Sequence, residues 1–222
     1  MTLSLAKPRV KICCISSVQE AQLAVQQGAS ALGLVGQMPS GPGVISDALI
    51  AEIAQTVPPP IASFLLTCRT AAADIVEHHQ LVRTNTIQLV DTPREGAYAQ
   101  LRQALPGVKL VQVVHVLGGE SVEEAQRAAE QVDAILLDSG NPKLQVKELG
   151  GTGRIHDWVV SRRIRESIAK PVFLAGGLHA GNVREAIEVV QPFGIDLCSG
   201  VRTNGKLDPY KLEKFFEVIE KI

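Results

Sequence analysis

The sequence has almost no charge imbalance and no long apolar run. Its 22 Lys and Arg residues nearly equal its 23 Asp and Glu residues, which leaves a formal net charge of -1. Because neither a basic stripe nor an acidic tail is present, we expect no nucleic-acid partner and no membrane-surface partner. No segment reaches about 18 consecutive apolar residues, and Met1 to Pro8 hold no apolar core of signal-peptide length. A cytoplasmic protein that acts on small molecules is therefore expected.

Cysteine is scarce, and its spacing matches no metal site. The four cysteines are Cys13, Cys14, Cys68 and Cys198, and a disulfide between the adjacent pair would be strained. We predict four free thiols, no metal and no cofactor. The hydrophobic fraction of 45% and the mean hydropathy of +0.14 exclude a disordered chain and are sufficient for a large core.

Short apolar runs alternate regularly with helical patterns. The runs lie at 9–14, 31–36, 61–67, 86–90, 109–114, 134–137, 172–175 and 195–198. The helical patterns lie near 18–27, 46–56, 70–79, 94–104, 120–130, 157–168, 180–190 and 208–221. Such alternation requires parallel strands with crossover helices, and eight such units close into a barrel. Because no linker or shift in composition interrupts the series, we predict a single-domain (β/α)8 TIM barrel over residues 1–222.

Two small motifs, Gly176-Gly177 and Ser199-Gly200, each follow an apolar run and precede a helical pattern. Backbone N–H groups at helix N-termini can contact an anion only where side chains leave room, which favours glycine at such turns. The loops after strands seven and eight form the phosphate site of many (β/α)8 barrels. We therefore predict a small phosphorylated ligand, with Ser199 as a hydroxyl donor.

The connection over residues 138–156 is long and has no apolar periodicity. Loops of more than about 12 residues without secondary structure are usually functional or mobile, so we predict a lid at the strand-end face. Its Gly151 and Gly153 join the predicted phosphate site. Ordinary turn chemistry remains the alternative interpretation of every glycine in these loops.

Five motifs occur in order along the chain. They are Lys11-Ile12-Cys13, Leu136-Leu137-Asp138-Ser139, Gly150-Gly151-Thr152-Gly153 with Asp157-Trp158, Leu174-Ala175-Gly176-Gly177-Leu178 with Asn182-Val183, and Asp196 with Ser199-Gly200-Val201. This ordered set resembles the phosphoribosylanthranilate isomerase family, the barrels of the tryptophan pathway, over nearly the whole chain. The resemblance implies an Amadori rearrangement of an aminoaldose phosphate to an aminoketose, without redox cofactor or metal.

The same resemblance implies catalytic roles. The family uses a cysteine as general base and an aspartate as general acid, and Cys13 and Asp138 occupy those positions. Asp196 resembles the family position that faces the sugar hydroxyls. As alternatives, Asp138 only caps the following turn and Asp196 only fills the barrel interior.

Strand parity places Lys11 and Cys13 on one face and Ile12 and Cys14 on the other. If the first pair faces the interior, the Lys11 ammonium lowers the pKa of the Cys13 thiol, and Cys14 packs against a helix. Among the histidines, His115 follows the fifth strand and could reach the site, whereas His78 and His79 are expected on a helix surface.

The departures from the family pattern concern the aromatic half of the substrate. The family usually has Ser-Pro-Arg after the second strand, with the arginine on the anthranilate carboxylate, but residues 38–43 read Met-Pro-Ser-Gly-Pro-Gly. Residues 88–91 read Gln-Leu-Val-Asp instead of Gln-Leu-His-Gly, and Cys14 replaces a glycine. Candidate replacements for the arginine are Arg83, Lys143 and Arg154.

Three hypotheses follow: an authentic phosphoribosylanthranilate isomerase, a paralogous isomerase for another phosphorylated aminosugar, and a phosphosugar-binding barrel without turnover. A monomer and a homodimer fit the pattern equally well.

Overall fold

The computed structural model describes residues 7–222, which form a closed barrel of eight parallel strands in the order β1 to β8, with β8 paired to β1. The strands are β1 Arg9–Ile12, β2 Ala31–Val35, β3 Ala62–Thr67, β4 Thr86–Leu89, β5 Lys109–His115, β6 Ala134–Asp138, β7 Val172–Leu174 and β8 Gly194–Leu197. The helices are α1 Val18–Gln26, α2 Asp47–Thr56, α3 Ala72–Val82, α4 Ala97–Ala104, α5 Ser121–Ala129, α6 Trp158–Ser167, α7 Val183–Val190 and α8 Pro209–Glu220. The predicted (β/α)8 barrel is confirmed.

The expectation drawn from Met1 to Pro8 concerns mainly residues 1–6, which lie outside the described residues. Within residues 7–222, each helix is too short or too polar to cross a membrane. That residues 1–222 form a single domain stays a prediction.

Several helices begin at a side chain that caps the first free N–H groups. Ser17 Oγ accepts from Glu20 N at 3.1 Å, and Asp157 Oδ1 accepts from Val159 N at 2.8 Å. Asp208 caps α8 in the same way, with Pro209 at the first helical position. A cap of this type contributes about 1 kcal/mol, so these residues define where each helix starts.

The strands separate two apolar layers because successive side chains point to opposite faces. Residues such as Ile12, Leu34 and Leu65 pack outward against the helices, whereas Phe64 and Leu136 fill the barrel interior. Lys11 also lies in the interior, fully buried. The side chains that fill the barrel interior reach up to the carboxyl ends of the strands. The loops at that end form the candidate active site.

Two boundaries near the site differ from the predicted ones. The first strand ends at Ile12 rather than Cys14, because Cys14 has φ 61° and leaves the extended conformation. After β8 the chain makes a 3-10 turn at Ser199–Val201 and a small hairpin that was not predicted, β9 Arg202–Thr203 and β10 Lys206–Leu207. Its Asn204-Gly205 turn has positive φ at both residues, which is typical of tight hairpins.

The prediction that His78 and His79 lie on a helix surface is wrong. His78 is buried between Thr67 Oγ1 at 3.3 Å and Asp47 Oδ1 at 3.0 Å, and His79 Nε2 contacts Thr84 O at 2.7 Å. They share the helical spacing of Ile75 and Val82, so both occupy the inner face of α3 with polar partners.

Candidate active site

An open cleft lies at the carboxyl ends of the strands. One end is apolar and is lined by Val35, Met38, Leu66, Val90 and Leu149. The other end is lined by Gly153, Gly176, Gly177 and Ser199. Cys13, Asp138 and Asp196 also line the cleft. The fold thus brings the predicted acid, base and phosphate loops into one cavity with two chemically different ends.

Cys13 follows β1 and is held to β8 by its backbone, since its N–H donates to Leu197 O at 2.7 Å. Gly33 on β2 gives the side chain its space: a Cβ there would lie 2.7 Å from Cys13 Sγ and 3.0 Å from Lys11 Nζ. The pKa of the Cys13 thiol is lowered, first by a hydrogen bond from the Cys14 thiol and then, against the opposing effect of burial, by the Lys11 ammonium. The thiol is therefore more acidic than an ordinary cysteine.

Lys11 lies below Cys13 in the barrel interior and pairs with Asp196. Its Nζ is 2.9 Å from Asp196 Oδ2 and lies 5.3 Å from the centre of the Phe64 ring. Burial opposes the charged form of Lys11, but Asp196 and Cys13 outweigh it and raise the lysine pKa. Burial raises the pKa of Asp196, with Lys11 opposing. Asp196 Oδ1 has no hydrogen-bond partner among residues 7–222 and is free to accept from a ligand.

Asp138 is the last residue of β6 and is covered by the predicted lid. Its Oδ1 accepts from Ser139 N at 2.7 Å, which is the turn-capping contact considered as its alternative role. A Cβ on Gly150 would lie 2.8 Å from Oδ2, so the lid backbone passes close above this second oxygen. Ser139 Oγ and Thr152 Oγ1 are 2.7 Å apart and join the strand end to the lid.

The glycine end is formed by three loops in contact. Gly177 has φ 63°, and a Cβ there would lie 2.9 Å from Gly153 O and from Arg154 C. Gly200 does not line the cleft, because it packs against Leu178 O behind the loop. Only glycine permits this approach between the lid and the two loops after β7 and β8.

His156 fixes the loop after β7 from below. Its Nε2 donates to Ala175 O at 3.1 Å, and its Nδ1 lies 3.0 Å from Ser161 Oγ. Burial lowers the pKa of His156, against the opposing effect of the Asp138 carboxylate. The neutral imidazole therefore orients the residues that precede Gly176.

Two loops meet over the apolar end. Ser40 Oγ, after β2, donates to Lys147 O in the lid at 2.6 Å, and Gly151 packs against Pro42. Lys147 Nζ pairs with Asp91 Oδ2, after β4, at 2.5 Å. These contacts join the lid to the loops after β2 and β4, the strands on either side of β3.

A profile of the family described as N-(5′-phosphoribosyl)anthranilate (PRA) isomerase matches residues 10–218. The chain belongs to the PRA isomerase family. The N-(5′-phosphoribosyl)anthranilate isomerase of Methanocella arvoryzae is 33% identical over 214 residues, covering 96% of this chain and 97% of the relative.

Solved structures agree with this assignment. The PRA isomerase from Thermococcus kodakaraensis has a TM-score of 0.81 at 29% identity, covering 97% of this chain and 100% of its own. A PRA isomerase in complex with reduced 1-(o-carboxyphenylamino)-1-deoxyribulose 5-phosphate has a TM-score of 0.78 at 27% identity, with the same coverage. As a member of the family, the chain is an aldose–ketose isomerase of tryptophan biosynthesis.

The left-handed conformation of Cys14 accounts for the family's glycine at this position. A φ of 61° is unfavourable for a side chain with a Cβ and favourable for glycine. The prediction that Cys14 only packs against a helix is wrong, because it lines the cleft and its Sγ lies 3.8 Å from Pro42 O. Hydrogen bonding to Cys13 and Cys198, together with burial, raises the pKa of the Cys14 thiol.

Within residues 7–222, no lysine or arginine lines the cleft where the PRA isomerase family usually supplies its arginine. Of the proposed replacements, Arg83 follows α3 at the opposite end of the barrel, and Arg154 pairs with Glu148 beside the glycine end. Lys143 is on the exposed part of the lid. His115 does not reach the cleft either, since its Nε2 donates to Val90 O at 3.2 Å.

Sequence reasoning missed Gln88 and Lys147. Gln88 lines the cleft from β4, and its Oε1 has no hydrogen-bond partner in the described part of the chain. Its signal was a polar residue two positions before Val90 within an apolar strand, which puts both on the interior face. Lys147 had no comparable signal, because its place depends on the fold of a loop without periodicity.

Proposed function

We propose that this chain converts N-(5′-phosphoribosyl)anthranilate to 1-(o-carboxyphenylamino)-1-deoxyribulose 5-phosphate, acting as a monomer or homodimer on this small phosphosugar. The observation that supports it is one cleft containing Cys13 and Asp138, with a glycine-lined end and an apolar end. The ligand in the related structure consists of a phosphate, a sugar chain and a carboxyphenyl ring. A cleft with a phosphate end, a middle and an apolar end suits a ligand of this composition.

The two ends of the cleft suggest the orientation of the substrate. The phosphate binds at the cleft-lining loops containing Gly153, Gly177 and Ser199, because glycine leaves room for an anion to approach backbone N–H groups. The aromatic ring then lies against the apolar end. The ribose hydroxyls fall between them and donate to the free oxygens of Asp196 and Gln88.

The proposed reaction needs one acid and one base. Asp138 donates a proton to the ring oxygen as the C1′–O4′ bond breaks, and the anilino nitrogen forms a double bond to C1′. The Cys13 thiolate removes the proton from C2′, and the electron pair of that bond forms the C1′–C2′ double bond of an enolamine. The electron pair of the C1′–N double bond returns to nitrogen as the enolamine forms. A proton then adds to C1′ and the C2′ hydroxyl loses its proton, which leaves a ketone at C2′, so the product is an isomer of the substrate.

Recognition of the carboxylate is proposed for Lys147. Its ammonium pairs with Asp91, the residue after the cleft-lining Val90, its backbone carbonyl is held by Ser40, and its side chain is half exposed. We expect the Lys147 ammonium to form a charge-assisted hydrogen bond with the substrate carboxylate. This bond either replaces the contact with Asp91 or forms beside it. Among the residues that the structure describes, no cation lines the cleft, which favours, as second candidate, a paralogous isomerase whose aglycone has no carboxylate. Family membership favours turnover over the hypothesis of a binding protein without catalysis.

The test is turnover of freshly generated PRA, followed by the loss of its anthranilate-type fluorescence. We expect wild-type turnover, and a loss of roughly 100-fold or more in Cys13→Ser and in Asp138→Asn. Both variants should still bind the reduced product analogue within a few-fold of wild type. The matched controls are Cys68→Ser and Asp74→Asn, which lie outside the cleft. Near-wild-type kcat in either active-site variant would remove that residue from its role, and binding of the analogue without wild-type turnover would favour the second candidate.

A further inference from the structure

Cys14 forms an unusual turn directly after the proposed base. In an extended strand, consecutive carbonyl groups point in opposite directions. The left-handed φ of Cys14 breaks this alternation, so the carbonyl oxygens of Cys13 and Cys14 both lie within reach of one guanidinium nitrogen. Since the conformation is unfavourable for cysteine, the surrounding structure must hold it.

The group that contacts both carbonyls is Arg202. Its Nη2 donates to Cys13 O at 3.2 Å and to Cys14 O at 2.5 Å. Its Nη1 donates to Gly205 O at 2.9 Å. Only 8% of this arginine is exposed, so these contacts form away from bulk water. A planar guanidinium suits such a convergent set of acceptors, whereas an ammonium does not.

Glu20 determines the orientation of Arg202. Its two carboxylate oxygens accept from Nη1 at 3.2 Å and from Nη2 at 3.0 Å. They also accept from Leu207 N at 2.8 Å and Ser16 N at 3.0 Å. Burial opposes its charge, but the hydrogen bonds from Arg202 and from these two N–H groups outweigh burial and lower the Glu20 pKa. The carboxylate thus joins the start of α1 to the β9–β10 hairpin, which carries Arg202.

We propose that Arg202, oriented by Glu20, is a positioning residue that places Cys13 by holding Cys14 in its left-handed conformation. The proposal rests on the proposed function, in which Cys13 is the base. It gives the β9–β10 hairpin a role in catalysis although the hairpin does not line the cleft. It also explains how this chain accommodates a cysteine with φ 61°.

The experiment compares Arg202→Met in three backgrounds: wild type, Cys14→Gly and Cys14→Ala. A misplaced catalytic group costs up to about 100-fold, so we expect Arg202→Met to lower kcat by roughly 10- to 100-fold, with KM within about 3-fold. Cys14→Gly should restore kcat to within about 3-fold of the Cys14→Gly single variant, because glycine adopts this φ without support. Cys14→Ala should not restore it, since alanine removes the thiol and keeps the strain.

Arg102→Met is the matched control. Arg102 also bonds a carboxylate and a backbone carbonyl, those of Asp133 and Gln131, but at the amino-terminal end of the barrel. It should lower stability without changing kcat. If Arg202→Met does not accumulate as folded protein, Arg202→Lys takes its place, with lowered kcat and rescue by Cys14→Gly again as the supporting result.

Three outcomes would overturn the proposal: a folded Arg202 variant with kcat within 3-fold of wild type, equal rescue by Cys14→Ala, or a loss of activity that is entirely in KM.

A second measurement does not depend on turnover. It is the rate at which iodoacetamide alkylates Cys13, resolved by mass spectrometry. If wild type has no PRA turnover, the proposed function fails. A change in Cys13 alkylation by Arg202→Met that Cys14→Gly alone reverses would then still support the positioning role, and an unchanged rate would refute it.

Discussion

Replacing Lys11 with methionine should separate the two roles of its buried ammonium. The ammonium lies 2.9 Å from Asp196 Oδ2, with 0% and 7% of the two side chains exposed. At an effective dielectric constant of about 20, opposite charges at this distance attract by about 6 kcal/mol. Protonation of Asp196, whose pKa is already raised by burial, would recover part of this loss. We expect Lys11→Met to lower the free energy of unfolding by about 3 to 5 kcal/mol, as for other broken buried pairs.

The double variant Lys11→Met/Asp196→Asn distinguishes stability from activation of the thiol. It removes both charges and should recover most of the lost stability. It should not restore the lowered pKa of the Cys13 thiol, because the ammonium that helps to lower this pKa is still missing. In both variants the acidic limb of kcat/KM and the pH midpoint of Cys13 alkylation should move to higher pH.

Urea unfolding followed by circular dichroism gives the stability, and alkylation against pH gives the thiol pKa. The folded-state pKa of Lys11 is raised above its unfolded value, so its stabilisation is full below about pH 10 and is lost only as the pH rises through the folded value. The stability difference should therefore be constant from pH 6 to about pH 9. A cost below about 1 kcal/mol, the range of an exposed pair, would refute the burial argument. If the Cys13 pKa does not move, its lowering comes from the side-chain and backbone hydrogen bonds of Cys14 and not from Lys11.

Three further perturbations test separate parts of the site. Gly177→Val should weaken binding of the reduced product analogue at least about 10-fold by calorimetry, because its Cβ would lie 2.9 Å from Gly153 O. An unchanged affinity would exclude the loop after β7 from the proposed phosphate site. Lys147→Met should raise KM roughly 10-fold with little change in kcat, whereas Lys143→Met in the same lid should leave KM unchanged. Equal effects of the two substitutions on KM would argue against a specific contact between Lys147 and the carboxylate. His156 has a folded-state pKa lowered by burial, so its contribution to stability is lost as the pH falls below about 6.5. Urea unfolding at pH 7 and pH 5 should give a smaller pH effect in His156→Gln than in wild type, and an equal effect would assign the loss to another group.

The barrel itself was predictable because its pattern is repetitive. Apolar runs of strand length recur along the chain, and Ser46 and Asp208 cap helices as their sequence positions predict. Thr70, which the sequence also suggests as a cap, does not cap α3, whose N-cap position is Ala71 without a side-chain hydrogen bond. The end of β1 was missed because Cys13 and Cys14 are as apolar as the strand before them. Apolarity carries no information on φ, and the left-handed turn depends on an arginine 188 residues away.

The candidate active site was partly predictable for the same reason. Strand parity placed Lys11 and Cys13 on one face, and the structure puts both beside Gly33. Contacts that depend on loops were not predictable. Lys147 reaches Asp91 only because the lid folds back over the end of β4, and no periodicity in residues 138–156 indicates this path.

The pairing of Lys11 with Asp196 has a consequence for the order of synthesis. The two residues are 185 positions apart, on the strands that close the barrel. At about 5 to 20 residues per second, a ribosome needs roughly 10 to 40 s to make the intervening chain. During that interval a nascent chain has Cys13 but neither the carboxylate nor the strand that holds it in place. Isomerase activity should therefore begin only when nearly all of the chain has been translated, whereas the nascent thiol is open to oxidants and electrophiles from the start.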